Sequence, residues 1–313
     1  MKISTRRLKD ASLPFGKGNP YSEPAMTRME PEALLQLINQ NHATTFRLVE
    51  RYAVGERGAY AITSSESGRY VMKWHPDPVL LANYRQAAQV TAHLHEADYP
   101  APRYVLTGVL GGISYSIQQE LPGTPHQVKT TGLVSRLVEL NRLQTSRAST
   151  QRRDWPAPVV DTVLFGGDGY CLLDPLRNCS ATTAEILSAI QALVTKHADD
   201  EVEANDIVHF DFHQGNILVY EDAISGVIDW DGTCSGDCVF DLVTLLFYLY
   251  DRRDVRKLPW TEALERAGPG PLRIYLAHMI LRQVDWSIRH YDSATVQKYV
   301  RRAEEILCDI GSI

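Results

Sequence analysis

The chain has 313 residues, 44% of them hydrophobic and 22% charged, which is enough globular material for two lobes with a cleft between them and argues against disorder. A formal net charge of −6 excludes a general affinity for nucleic acid or an anionic membrane, since neither attracts an acidic protein. No apolar window approaches the length of a membrane span, residues 242–250 being too short and reading as a buried helix. Five cysteines, odd in number and irregular in spacing, suggest reduced thiols and a cytoplasmic protein; Cys234 and Cys238 lack the partners of a zinc site.

Residues 1–28 hold Lys, Arg, Gly, Pro and Ser without an apolar run, so they read as a loose arm and not as a signal peptide, and the first helix is expected near Pro31. Residues 46–54 and 59–63 are β-rich runs around Gly55-Glu56-Arg57-Gly58, and 68–74 gives a glycine turn and a third strand carrying Lys73. Residues 79–97 have helical periodicity and stop at the Tyr99-Pro100 break. Residues 114–118 are another strand, followed by Gln119-Glu120-Leu121-Pro122-Gly123. Amphipathic helices are expected over 185–198 and 270–291.

Chemistry concentrates in His209-Phe-Asp211-Phe-His213-Gln-Gly-Asn216 and in Ile228-Asp229-Trp230-Asp231. Between them, residues 217–220 and 223–228 are short apolar or β-branched runs separated by Glu221-Asp222, the pattern of a hairpin, which would return Asp229 to Asp211 and Asn216. Phosphoryl transfer needs such a set: a carboxylate to accept the hydroxyl proton, and an amide oxygen plus a second carboxylate to hold Mg²⁺ against nucleotide phosphates. It also needs an upstream glycine turn and a strand lysine to reach those phosphates, which Gly55, Gly58 and Lys73 supply.

The H-x-D-x-x-x-x-N pattern, its D-x-H-x-G-N-I-L continuation and the I-D-W-D that follows resemble the aminoglycoside phosphotransferase and choline kinase superfamily, small-molecule kinases related in fold to protein kinases. Gly236-Asp237-Cys238-Val239-Phe240-Asp241-Leu242 is similar to the family's G-D-P-x-x-D-L, with Cys238 in place of the usual Pro. The resemblance implies an α+β, bilobal, protein-kinase-like fold: a strand-rich nucleotide-binding lobe over 29–118, a hinge over 119–125, and a mainly helical catalytic and substrate-binding lobe over 126–313. It implies Asp211 as catalytic base, Asn216 and Asp229 as Mg²⁺ ligands, and His209, His213 and Asp241 as supports of the loop. ATP or GTP would be the donor, its purine edge meeting backbone groups of Gln119, Glu120 and Leu121. The acceptor would be a hydroxylated small molecule, of the aminoglycoside type or a choline-like amine.

Two points depart from the family or stay open. The helix position that should carry a Glu to pair with Lys73 shows Gln86 and Gln89, while Glu96 lies too near the break; an uncharged Gln orients an ammonium less strongly, so the lysine's partner is unassigned. Asp285 and Trp286 can present a carboxylate and an aromatic face to a cationic acceptor, or simply pair with Arg282 or Arg289 and fill the core; the acidic residues Asp199, Asp200, Glu201 and Glu203 divide in the same way between cleft potential and solvated loop. A metallohydrolase built on His209, Asp211 and His213, and a non-catalytic nucleotide-binding regulator, are the competing readings. Nothing in the sequence fixes the oligomeric state.

Overall fold

A computed structural model describes residues 29–52, 58–64, 68–148, 155–200 and 205–313. The arm expected over 1–28, together with Gly55, Arg57, Glu201 and Glu203, lies outside the described residues.

Helix α1 (Pro31–His42) opens with proline in its first turn, where a missing N–H costs nothing, and ends on Ala43 in the left-handed region at φ 53°. Strands β1 (Arg47–Arg51), β2 (Ala59–Ser64) and β3 (Gly68–His75) precede helix α2 (Leu81–His95), and β4 (Tyr104–Leu110) and β5 (Ile113–Gln119) follow it. Among the described residues these strands form an antiparallel sheet in the order β1-β2-β3-β5-β4. Side chains alternate across it. Ile62, Met72, Tyr115 and Ile117 pack with Leu34 and Ile38 of α1 on one side. Lys73 lies opposite Ser116 in the register and Val71 opposite Gln118, so Lys73, Ser116 and Gln118 share the other side.

The rest of the chain is mainly helical: α3 (Thr131–Arg142), α4 (Pro156–Phe165), α5 (Leu173–Cys179), α6 (Ala181–His197), α7 (Val239–Leu249), α8 (Arg253–Ala267), α9 (Pro269–His290) and α10 (Ser293–Ile310). Among the described residues, four short strands interrupt it before α7: β6 (Asp206–Val208) pairs with β9 (Cys234–Gly236), and β7 (Ile217–Tyr220) with β8 (Ala223–Val227). This strand-then-helix division is the α+β class the sequence implies. All five cysteines are free, three of them buried, and no helix among the described residues is long and apolar enough to cross a membrane.

The described residues divide into two compact units. One holds the described residues from 29 to 148 and residues 205–262, so the sheet, α2, α3, the catalytic stretch and α7 belong together. Its second core joins Ala87 and Leu94 of α2, Leu137 of α3, Phe212, Trp230 and Leu245 of α7.

The other unit holds 155–200 and 263–313, built around α9, whose buried Tyr275 accepts the indole N–H of Trp155 at 3.1 Å. Burial, helped by Arg282, pushes the imidazole of His278 on this helix from 6.5 down to about 3. A histidine depressed in the folded state stabilises fully above its unfolded value and loses that contribution as pH falls. The thermal midpoint is therefore expected to drop between pH 6.5 and about 3, and His278→Gln to flatten that dependence; equal pH slopes for the two chains would refute it.

Candidate active site

The catalytic stretch leaves β6 through a strained turn. Phe210 sits at φ 73°, a left-handed conformation that costs a non-glycine residue roughly 1–2 kcal/mol. Asp241, in the first turn of α7, holds it there: its carboxylate accepts the N–H of His209 at 2.8 Å, the N–H of Phe210 at 2.9 Å and the amide of Gln144 at 2.7 Å. Burial pushes the Asp241 pKa up to about 7 against the pull of those three donors. Phe210 stacks on Phe240 with ring centroids 5.1 Å apart. Asp241→Ala is expected to destabilise the chain by about 2–6 kcal/mol from its two backbone donors, His209 and Phe210 each losing an acceptor at roughly 1–3 kcal/mol; urea unfolding measures it.

This brace aims Asp211. Its carboxylate is 34% exposed, lies 3.3 Å from His213 Nε2 and accepts from Asn216 Nδ2 at 3.1 Å. His213 Nδ1 accepts the Gly215 N–H at 2.9 Å, so Nε2 carries the proton and faces the carboxylate. Asn216 Nδ2 also donates to the Asp211 carbonyl at 3.0 Å, which turns the amide oxygen away from Asp211. His209 is fully buried, and burial pushes its pKa down to about 4, so it is neutral. It donates from Nε2 to the Ile228 carbonyl at 2.9 Å and accepts the Asp211 N–H on Nδ1 at 3.2 Å. With both nitrogens of His209 and Nδ1 of His213 engaged, the metallohydrolase reading fails: the three side chains do not converge on an ion.

The hairpin forms as expected. Glu221 and Asp222 both have positive φ, 49° and 60°, in a two-residue loop whose hand matches the strand twist. It returns the chain so that the Ile228 N–H donates to the Asn216 carbonyl at 2.9 Å. Asp229 follows at φ 68°, a conformation aspartate tolerates better than most side chains, and Trp230 locks the turn by donating to the Val227 carbonyl at 2.8 Å. Cys238, where the family has Pro, donates its N–H to Asp206 at 3.1 Å, a bond proline has no hydrogen to make.

Lys73 reaches this turn from β3. Its ammonium donates to Asp229 Oδ1 at 2.8 Å and to Asp231 Oδ2 at 3.1 Å. Burial alone would lower its pKa; the two carboxylates outweigh burial and raise it. Reciprocally, although desolvation resists the charge, Lys73 holds the Asp229 carboxyl below its ordinary value. Neither glutamine serves as the lysine's partner: Gln86 donates to the Thr233 carbonyl at 3.0 Å and Gln89 is exposed. Asn216 and the 46% exposed Asp229 both offer oxygen donors, and that hard chemistry suits Mg²⁺.

At the linker, Gln119 donates its N–H to Arg103 at 2.8 Å and Glu120 to Arg69 at 3.2 Å, while Leu121 N–H has no partner among the described residues. The Glu120 side chain is taken by Arg69 and by the Tyr52 hydroxyl at 2.5 Å, so this residue ties β3 and the residue that follows β1 to the linker and offers only backbone to a ligand. Gly123, at φ 114°, lies where a Cβ would come within 2.8 Å of the Val219 carbonyl, and Thr124 bridges Val219, pinning the linker to the hairpin. Gly58 is likewise left-handed, at φ 73°.

Asp285 belongs to the other unit. It is fully buried, held by Arg289 at 2.7 and 2.8 Å and by the Leu172 N–H at 3.0 Å, so its carboxylate serves the fold. Trp286 stacks on His290 with centroids 3.9 Å apart. Asp200 pairs with His197 at 3.0 Å.

Sequence reasoning missed Asp231, Tyr104 and Gln118. Tyr104 donates to Asp231 at 3.3 Å. Ser116 Oγ and Gln118 Oε1 are buried without partners among the described residues. The alternating Ser114, Ser116 and Gln118 on an otherwise buried strand was the available signal, polar where a core face is apolar.

Lys73 on its strand, the held Asp211 and the nearby Asp229 and Asn216 are the arrangement that phosphoryl transfer calls for. The profile of the phosphotransferase enzyme family matches residues 49–275, and the chain belongs to that family, whose members transfer phosphate to alcohol groups. No curated protein sequence matches the chain. Among solved structures, the chain is similar to aminoglycoside phosphotransferase APH(4)-Ia, at 16% identity and a TM-score of 0.64 over 88% of this chain and 97% of that one. It is also similar to amicoumacin kinase hAmiN in complex with AMP-PNP, Ca²⁺ and Ami, at 12% identity and TM-score 0.63 over 86% and 93% of the two chains. The choline kinase LicA from Streptococcus pneumoniae matches at 12% identity and TM-score 0.60, over 88% and 99%. At such identities the likeness establishes the protein-kinase-like fold.

Proposed function

We propose that the protein transfers the γ-phosphate of ATP or GTP to a hydroxyl of an aminoglycoside-type antibiotic or a similar hydroxylated amine or sugar, with a choline-like amine as the other acceptor class. The observation that carries the chemistry is the partly exposed Asp211 carboxylate, fixed by His213 and Asn216 beside an Asp229 that Lys73 pairs. Asp211 orients the acceptor hydroxyl and takes its proton as the oxygen attacks in line. Lys73 and Gly58, with Gly55 of the same stretch, would hold the donor phosphates, and the Leu121 N–H would meet the purine edge. Asn216 and Asp229 would hold Mg²⁺, which would supply positive charge to offset that developing on the transferred phosphate.

Support for the acceptor class comes from the family and from the likeness to APH(4)-Ia, whose relative structure is a ternary complex with ADP and hygromycin B. Free thiols support a reducing, cytoplasmic setting, and inactivation of an antibiotic there would confer resistance. The absent helix glutamate, which favoured a non-catalytic regulator, loses force because Lys73 is paired without it. Expression in a sensitive bacterium tests the acceptor class: raised tolerance to one aminoglycoside, lost with Asp211→Ala, is expected, and unchanged sensitivity across aminoglycosides would move the acceptor to the choline-like class.

A further inference from the structure

Lys73 holds two carboxylates that differ in every respect that matters for a role. Asp229 is 46% exposed and sits among the oxygen ligands suited to a cation. Asp231 is 8% exposed, and its two oxygens are already used: Oδ2 by Lys73 at 3.1 Å, Oδ1 by the Tyr104 hydroxyl at 3.3 Å. When Mg²⁺ and nucleotide engage Asp229, the lysine keeps one fixed counter-charge, and that is Asp231.

We propose, resting on the phosphotransferase reading above, that Asp231, oriented by Tyr104, is the positioning residue for the phosphate-binding lysine, the task a helix glutamate performs in protein kinases. Helix α2 offers no acid for it. Gln86 is tied to Thr233 at 3.0 Å, and the residue of α2 that the Lys73 charge feels is the buried Tyr84. The consequence is regulatory. A kinase that relies on a helix glutamate loses its lysine geometry when the helix swings out. Here the lysine's anchor lies two residues beyond Asp229, on the same turn that Trp230 locks, so lysine and metal ligand are set together and α2 is no switch.

The test uses the full chain and three probes: Mg–ATP, with ADP release to water as the readout, AMP-PNP for nucleotide binding, and adenosine, which lacks phosphates. Asp231→Asn keeps shape and can still accept from Tyr104 while removing the charge. It is expected to lower ADP release about 10-fold or more, the worth of a charge-assisted hydrogen bond. The Mg²⁺ concentration for half-activity and the affinity for adenosine should stay as in the parent. In a Lys73→Met background the same substitution should add nothing, because a residue acting through the lysine has no effect without it. Tyr104→Phe, a milder change that keeps the packing, should act in the same direction and not add to Asp231→Asn. A raised Mg²⁺ requirement in Asp231→Asn, as expected for Asp229→Asn, would make Asp231 a metal ligand and overturn the assignment. So would a loss that adds fully to Lys73→Met. A parent chain that binds no Mg–AMP-PNP would sink the phosphotransferase reading itself and this assignment with it.

Discussion

Asp211→Ala is expected to reduce phosphoryl transfer by about 10²–10⁴-fold, the usual contribution of a positioned general base, while nucleotide binding changes little. The separation follows from what Asp211 touches. Its carboxylate meets His213 and the Asn216 amide, whereas Lys73 bonds to Asp229 and Asp231. Truncation also leaves the bond from Asn216 Nδ2 to the Asp211 carbonyl in place at 3.0 Å, so the second metal-type ligand keeps its position. Rapid-quench measurement of transfer beside calorimetric titration with Mg–AMP-PNP checks both halves. Parallel loss of binding and turnover would mean that Asp211 organises the nucleotide site and is not its base.

Asp229→Asn is expected to do the reverse, weakening Mg–AMP-PNP and raising the Mg²⁺ requirement by more than the ~10- to 100-fold that loss of a mere supporting partner of a metal ligand causes. Asparagine tolerates the left-handed backbone at φ 68° and can still accept from Lys73, so the change is confined to charge. Thermal stability should therefore move far less than metal affinity. An Asp229→Asn protein with parental Mg²⁺ dependence would remove Asp229 from the metal site.

The parts of the site that were legible in the sequence are those written in local chemistry. Spacing alone placed Asp211, Asn216 and Asp229 together, because a two-residue loop at Glu221-Asp222 leaves the hairpin one way to close. Lys73 was legible as a lysine on a strand after a glycine turn. Its counter-ion was not: Asp231 looked like the tail of a motif, and only the tertiary approach of β3 and β4 brings Lys73 and Tyr104 onto it. The tyrosine stands 127 positions away in the chain, beyond the reach of any periodicity. Asp285 met the second of its two readings, the pair with Arg289. Arg289 one helical turn later claims its carboxylate at 2.7 Å, and a sequence does not tell such a pair from an open acid on the same face. At the linker, which backbone amide stays open depends on Arg69 and Arg103 meeting Glu120 and Gln119, which no local pattern encodes.

The account turns on transfer of phosphate to a hydroxyl by Asp211, and the most direct measurement is phosphorylated product by mass spectrometry after incubation with Mg²⁺, ATP or GTP and a panel of aminoglycosides, other hydroxylated antibiotics, sugars and choline-like amines. The account predicts one class of acceptor gaining a single phosphate on a hydroxyl oxygen, with the gain abolished by Asp211→Ala. A phosphorylated acceptor formed equally fast by the Asp211→Ala protein would contradict it.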